Sequence, residues 1–189
     1  MMQKLDYSEI KDQSLVDIRS QYEFQEGHVK NALNLNPGNF KTYAKSFLPS
    51  DQPIVFIVED TEDIEALDEF AKESGFTEID GYLLAQDIPN EELEQTETIP
   101  ANAFFKLKED YILLDVRHPD EITRPAPKEN LVNIPLQNLA EDYVSLDKNK
   151  DIYTLCGSGN RSTAAASYLA SKGFNSTVIE GGMKNLQEI

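Results

Sequence analysis

A single cysteine in 189 residues, Cys156, removes several classes of protein at once. An internal disulfide, a zinc ribbon and a CxxC redox pair are all excluded, and a reducing cytoplasm is the expected compartment. Long apolar runs are also missing. No stretch approaches the roughly 18 continuous apolar residues of a membrane span, and Met1 to Lys11 shows no apolar block after a basic start. Neither membrane insertion nor export is expected. Basic side chains are scarce: 17 Lys and Arg face 34 Asp and Glu, a formal net charge of −17. That field opposes contact with a nucleic acid backbone. What remains is an ordinary soluble balance, 40% hydrophobic and 27% charged, which argues for a folded chain. The charge is uneven. Residues 1–98 hold 7 basic and 22 acidic side chains, a net of −15, whereas residues 99–189 hold 10 and 12, a net of −2. Only the back half suits an anion.

The chain repeats itself. Leu15-Val16-Asp17-Ile18-Arg19 answers Leu113-Leu114-Asp115-Val116-Arg117 at an offset of 98 residues. The same offset carries Glu23 to Glu121, Leu48 to Leu146, Gly75 to Gly173 and Phe76 to Phe174, with a compensated slip near Asn34 and Asn133. Two copies of one domain are expected, at residues 1–88 and 99–189, joined by an acidic linker over 89–98. Within each copy short apolar runs alternate with amphipathic stretches, the pattern of an α/β unit with a mostly parallel sheet flanked by helices. Strands are expected at Leu15 to Arg19, Ala32 to Leu35 and Ile54 to Val58 in front. In the back they are expected at Tyr111 to Arg117, Leu131 to Ile134, Asp151 to Leu155 and Thr177 to Ile179. Helices are expected over Glu62 to Glu73 and Arg161 to Lys172, with Gly75 and Gly173 as their stops.

Asp151 to Leu155 runs into Cys156-Gly157-Ser158-Gly159-Asn160-Arg161-Ser162 and then into a helix. A sulfur at that hinge faces backbone N–H groups that lack a helical partner, the positive end of the helix dipole and the Arg161 charge. All three favour thiolate over thiol. Glycines at 157 and 159 suit a loop curled around one sulfur. Distant carboxylates are screened beyond about 8–10 Å, so the local donors dominate. A buried structural cysteine is the bland alternative, but Gly-Ser-Gly-Asn-Arg-Ser is poor core material. Cys156 is therefore read as the catalytic residue, with Gly157, Ser158, Gly159, Asn160, Arg161 and Ser162 binding the substrate.

Taken with Leu114-Asp115-Val116-Arg117 upstream and Ile179-Glu180-Gly181-Gly182-Met183 downstream, this loop resembles that of the rhodanese family of sulfurtransferases. The front half resembles it through Asp17-Ile18-Arg19 and Glu26-Gly27-His28-Val29. The resemblance implies tandem rhodanese-like domains in which Cys156 takes sulfane sulfur from thiosulfate or a low-molecular-weight persulfide, holds it as a persulfide, and passes it to an acceptor. With no second cysteine, that acceptor is external: cyanide, a small thiol or a protein thiol. No metal or cofactor is called for.

The front copy is expected to be inactive, because the offset sets Val58 opposite Cys156 and Asp63 opposite Arg161. Five carboxylates crowd Glu59 to Glu65, read as a solvated face, with a docking face for a basic partner as the lesser alternative. Asp115 and Arg117 recur in both copies, which marks them as structural. His28 is read as a turn residue and His118 as exposed loop. Arg124 is read as a surface arginine, the alternative being contact with the donor's distal anion. The active half also carries Thr123 to Asn130 where a Gly-His turn is expected. Two other functions compete. A thiolate phosphatase requires Cys-x5-Arg, whereas four residues separate Cys156 from Arg161. A non-enzymatic persulfide carrier, or a regulatory sulfur-binding module for a partner enzyme, remains open.

Overall fold

The computed structural model describes residues 2–108 and 110–187, which fall into two compact units divided between Gln95 and Thr96. The first contains β1 (Ser14–Asp17), α1 (Gln21–Glu26), β2 (His28–Val29), β3 (Leu33–Asn34), α2 (Pro37–Phe47), β4 (Ile54–Val58), α3 (Ile64–Glu73), β5 (Ile79–Leu84) and β6 (Leu93–Glu94). The second contains β7 (Glu97–Ile99), α4 (Ala101–Phe104), β8 (Tyr111–Asp115), β9 (Leu131–Asn133), α5 (Leu139–Asp142), β10 (Asp151–Leu155), α6 (Asn160–Ser171), β11 (Ser176–Ile179) and α7 (Gly182–Leu186).

Each unit is built on a parallel sheet, ordered β3-β1-β4-β5 in the first and β7-β11-β10-β8-β9 in the second. Ile54-Val55-Phe56-Ile57-Val58 and Tyr111-Ile112-Leu113-Leu114-Asp115 are buried at every position. A parallel strand covered on both faces needs that continuous apolarity rather than alternation. The repeat extends to the hydrogen-bond register. Asp17 lies opposite Ile57 and Asp115 opposite Leu155, both pairs related by 98 residues. Asp17 also faces Asn34 and Asp115 faces Asn133, where the offset becomes 99. That is the slip seen in the sequence. α3 and α6 end in the same way: Phe76 donates to Ala71 C=O and Phe174 to Leu169 C=O, each at 3.0 Å, across Gly75 and Gly173. These six-to-one bonds are the Schellman stop.

Several expected strands are shorter than their apolar runs. β8 ends at Asp115 instead of Arg117 because the Asp115 carboxylate turns back to accept the Arg117 N–H at 3.1 Å. Residues 89–98, expected as a linker, carry a 3-10 turn at Asn90–Glu92, β6 and most of β7. β6 pairs antiparallel with β2, and its Leu93 packs on the front core beside Val29 and Phe24. β7 pairs with β11. One leucine and free backbone groups suffice for pairing that an acidic composition conceals. The back core gathers Phe104, Tyr111, Leu113, Leu155, Ile179, Met183 and Leu186. Leu155 anchors the end of β10, just before Cys156, while Met183 and Leu186 anchor α7. Among the described residues no helix is long and apolar enough to cross a membrane.

Candidate active site

Cys156 follows β10, which lies between β8 and β11 in the second sheet. From β8 the chain steps outward to β9 and then returns on the other side to β10. Such a reversal leaves a crevice at the carboxyl ends of the strands, where α/β folds bind ligands. The Cys156 side chain is buried, 1% exposed, at that edge. Its Sγ accepts the Gly159 N–H at 3.1 Å and the Ser162 N–H at 3.4 Å. Gly159 reaches this position with φ of 96°, a left-handed conformation that a side chain would strain. The Gly159 carbonyl points the other way, into α6, where it accepts the Thr163 N–H at 3.0 Å and the Thr163 hydroxyl at 2.8 Å. Sulfur therefore meets donors at the helix start and no carbonyl oxygen of that residue.

A second element holds the loop from behind. Met183 N–H donates to Cys156 C=O at 2.8 Å and Lys184 N–H donates to Gly157 C=O at 3.1 Å. The peptides of the described residues are trans, so pulling these two carbonyls toward α7 turns the N–H groups of Gly157 and Ser158 away from it. The approach is close enough to demand glycine at 182: a Cβ there would lie 2.4 Å from Cys156 O and 3.0 Å from Ser158 N, on a backbone with φ of 57°. The Gly181-Gly182 pair belongs to the motif noted in the sequence, but its work as a clamp on the cysteine loop is visible only in three dimensions.

The expected site residues are brought together to different degrees. Gly159 and Ser162 touch the sulfur, Gly157 and Asn160 are half-buried around it, and Ser158 is exposed at the rim. The Ser162 hydroxyl is buried and has no hydrogen-bond partner among the described residues. Arg161 points its guanidinium at Glu121, with Nη2 2.6 Å from Oε1 and side-chain exposures of 23% and 40%. Its charge is thus held by a carboxylate that sequence reasoning did not select. The available signal was Glu121's recurrence as the partner of Glu23. In the front unit, where Asp63 replaces the arginine, Glu23 instead completes the capping box of α1 with Ser20.

Asp115 and Arg117 form a bidentate pair, Nε to Oδ1 2.9 Å and Nη2 to Oδ2 2.7 Å, and Asp17 with Arg19 repeats it at 3.0 and 2.7 Å. Identical geometry in a copy without the cysteine assigns this pair to the scaffold. Arg117 also donates to Arg124 C=O at 3.1 Å, as Arg19 donates to Gly27 C=O at 2.8 Å. Thr123 to Asn130 therefore replaces the Gly-His turn yet preserves the carbonyl that the arginine needs. The Arg124 side chain donates to Gln187 Oε1 at 2.7 Å. His118 is a loop residue whose Nδ1 accepts the Asp120 N–H at 3.3 Å. His28 is buried, stacked on Phe24 with ring centroids 3.9 Å apart and Nδ1 2.9 Å from Phe24 C=O. Burial lowers its pKa, against smaller raising effects from that carbonyl, Asp17 and Glu94. In the front unit Val58 takes the register position of Cys156 and is itself buried. Among the described residues no cluster of three or more His, Cys, Asp or Glu side chains is arranged to hold a metal ion.

The family model of the rhodanese-like domain matches twice, over residues 3–86 and 103–189. A candidate sulfurtransferase of Bacillus subtilis strain 168, YtwF, is 30% identical over 92 residues, 49% of this chain and 88% of that protein. The tRNA sulfurtransferase of Haemophilus influenzae strain PittEE is 30% identical over 101 residues, and the match spans 52% of this chain but only 20% of that one. Among solved structures, a rhodanese-related protein of Thermoplasma volcanium is 34% identical with a TM-score of 0.46, covering 49% of this chain and 91% of that one.

Proposed function

This chain belongs to the rhodanese-like family, and from that premise we propose that it is a sulfurtransferase whose back unit works through Cys156 while the front unit takes no part in the chemistry. The Cys156 thiolate attacks the outer sulfur of thiosulfate. The sulfur–sulfur bond of the donor breaks, sulfite leaves with the electron pair, and Cys156 carries a persulfide anion. Cyanide or an external thiolate then attacks the terminal sulfur, the new bond breaks, and the Cys156 thiolate returns with thiocyanate or a small persulfide as product. A low-molecular-weight persulfide enters the same cycle with its thiolate as leaving group. No other cysteine exists to resolve the intermediate, so the acceptor comes from outside. A single reduced thiol suits a reducing cytoplasm.

The observation that carries this reading is the pair of amide N–H groups on Cys156 Sγ, from Gly159 and Ser162. Two N–H donors aimed at one sulfur match an acceptor that gathers negative charge during the transfer and holds it in the persulfide. The buried Ser162 hydroxyl offers a further donor. Gly157, Ser158 and Asn160 line the approach for the donor, and Arg161, held in place by Glu121, supplies the positive charge at its edge. The test is turnover. Thiosulfate followed by cyanide yields thiocyanate with the wild-type protein and none with Cys156→Ser. Equal thiocyanate from both proteins overturns the proposal.

A further inference from the structure

The front unit contains a cavity of about 500 Å³ at the carboxyl end of β4, where Val58 stands in the register position of Cys156. Ile18, Val58, Ile64, Leu67 and Phe70 wall it. Its volume falls within the roughly 300–1,000 Å³ of small-molecule sites, which combine apolar walls with a few polar groups. Most of the charged groups here have one sign. Glu23, Glu59, Asp60 and Asp63 border the cavity against Arg19 alone, and the Arg19 guanidinium already binds Asp17 at 2.7 Å.

We propose that this cavity binds a small organic cation, an ammonium or guanidinium group carried on an apolar body. Two of the four carboxylates have local duties: Glu23 serves the α1 capping box, and Asp60 accepts the Glu62 N–H at 2.9 Å. Glu59 reaches Arg19 only at 3.6 Å and is 59% exposed. Asp63 occupies the N-cap of α3 without a side-chain cap hydrogen bond. These two acids stand beside apolar surface, so an incoming cation gains their attraction while its body covers Ile64 and Leu67. An anion of the thiosulfate type meets repulsion in the same place. The front unit thus keeps a concave site and reverses its charge preference, an activity separate from sulfur transfer.

The test is a titration of the full chain, labelled with nitrogen-15, with phenethylammonium, 2-phenylethanol and 3-phenylpropionate, which share a ring and differ in charge. Phenethylammonium is expected to give saturable amide shifts at Val58, Ile64 and Leu67, with 2-phenylethanol about tenfold weaker and 3-phenylpropionate silent. Raising ionic strength from about 0.02 to 0.15 M, which shortens the Debye length, weakens the cation and leaves the alcohol unchanged. Glu59→Gln with Asp63→Asn reduces cation binding about tenfold and spares the alcohol; both positions are exposed, and the wild-type comparison needs no variant. A free amine and a lysine side chain share this chemistry, so an acetylated and amidated Leu-Lys-Leu peptide runs alongside. The tighter of the two ligands identifies the source. Equal affinity for all three small probes, or no saturable shift from either cation up to about 10 mM, overturns the proposal. Sulfur loading of Cys156 in the same samples is expected unchanged, so failure here leaves the reading of the back unit intact.

Discussion

Replacing Gly182 by alanine probes the clamp on the cysteine loop. The new methyl group would sit 2.4 Å from Cys156 O and 3.0 Å from Gly157 C and Ser158 N, all backbone atoms that cannot swing aside as a flexible side chain does. The φ of 57° adds a cost of about 1–2 kcal/mol for a residue with a Cβ. Relief requires α7 to withdraw, which breaks the bonds from Met183 and Lys184 at about 1 kcal/mol each. The total is about 3–4 kcal/mol, which for a unit of this size lowers the melting temperature by roughly 15 °C. Gly157→Ala is the control, because a Cβ there meets nothing within 4 Å. Its melting temperature is expected within about 2 °C of wild type. Circular dichroism melts of both variants, paired with the rate of sulfur uptake from thiosulfate, read the two effects. Gly182→Ala is expected to slow uptake at least about tenfold, since the amide donors move with the loop. Wild-type stability and uptake in Gly182→Ala would refute the clamp.

Three further outcomes follow from the same geometry. Cys156→Ser keeps the fold and loses sulfur uptake entirely, while Val58→Ala keeps full uptake; comparable losses in both would contradict the division of labour between the units. Arg161→Ala and Glu121→Gln each raise the KM for thiosulfate, and their double-mutant cycle shows coupling on the order of 1 kcal/mol for a partly exposed pair; strict additivity would mean that Glu121 does not position Arg161. His28 gives a pH dependence. Burial holds its folded pKa below the ordinary value near 6.5, so the unfolded chain takes the proton first, and stability is full above about pH 6.5 and falls as pH drops. His28→Phe preserves an aromatic stack on Phe24 and removes the titration, so denaturant unfolding between about pH 7 and 5 should show a shallower loss by up to 1.4 kcal/mol per pH unit. Parallel pH profiles for the two proteins would refute the assignment.

The sequence carried the fold where a signal was local and strong. Ile54 to Val58 matches its strand to the residue because a continuous apolar run ends sharply at Pro53 and Glu59, and Asp151 to Leu155 does so because a turn at Asp147 to Lys150 precedes it and the glycine-rich cysteine loop follows it. Gly75 and Gly173 mark both helix stops because the Schellman turn requires that backbone. β5 was hidden. Asp80 and Gly81 interrupt its apolar run, and Gly81 is needed because the chain around Gln3 passes alongside, with a Cβ landing 2.3 Å from Gln3 O. β6 and β7 lie in acidic sequence and are paired through backbone groups that composition does not register. At the site, the cysteine loop was legible because its glycines and polar residues are adjacent in the chain. The pairing of Arg161 with Glu121 was not, since β9, α5 and β10 lie between the two in the chain. Gly182 was legible as a motif but not as a clamp, because its reason is the distance to Cys156 O.

If Cys156 accepts sulfane sulfur, the mass of the intact protein records it. After incubation with thiosulfate or glutathione persulfide and removal of the donor, the wild-type protein should be heavier by one sulfur atom. Peptide mapping should place that atom on Cys156, and cyanide should remove it. A folded protein that keeps its original mass with both donors, its thiol still reduced, would rule out Cys156 as a sulfur acceptor.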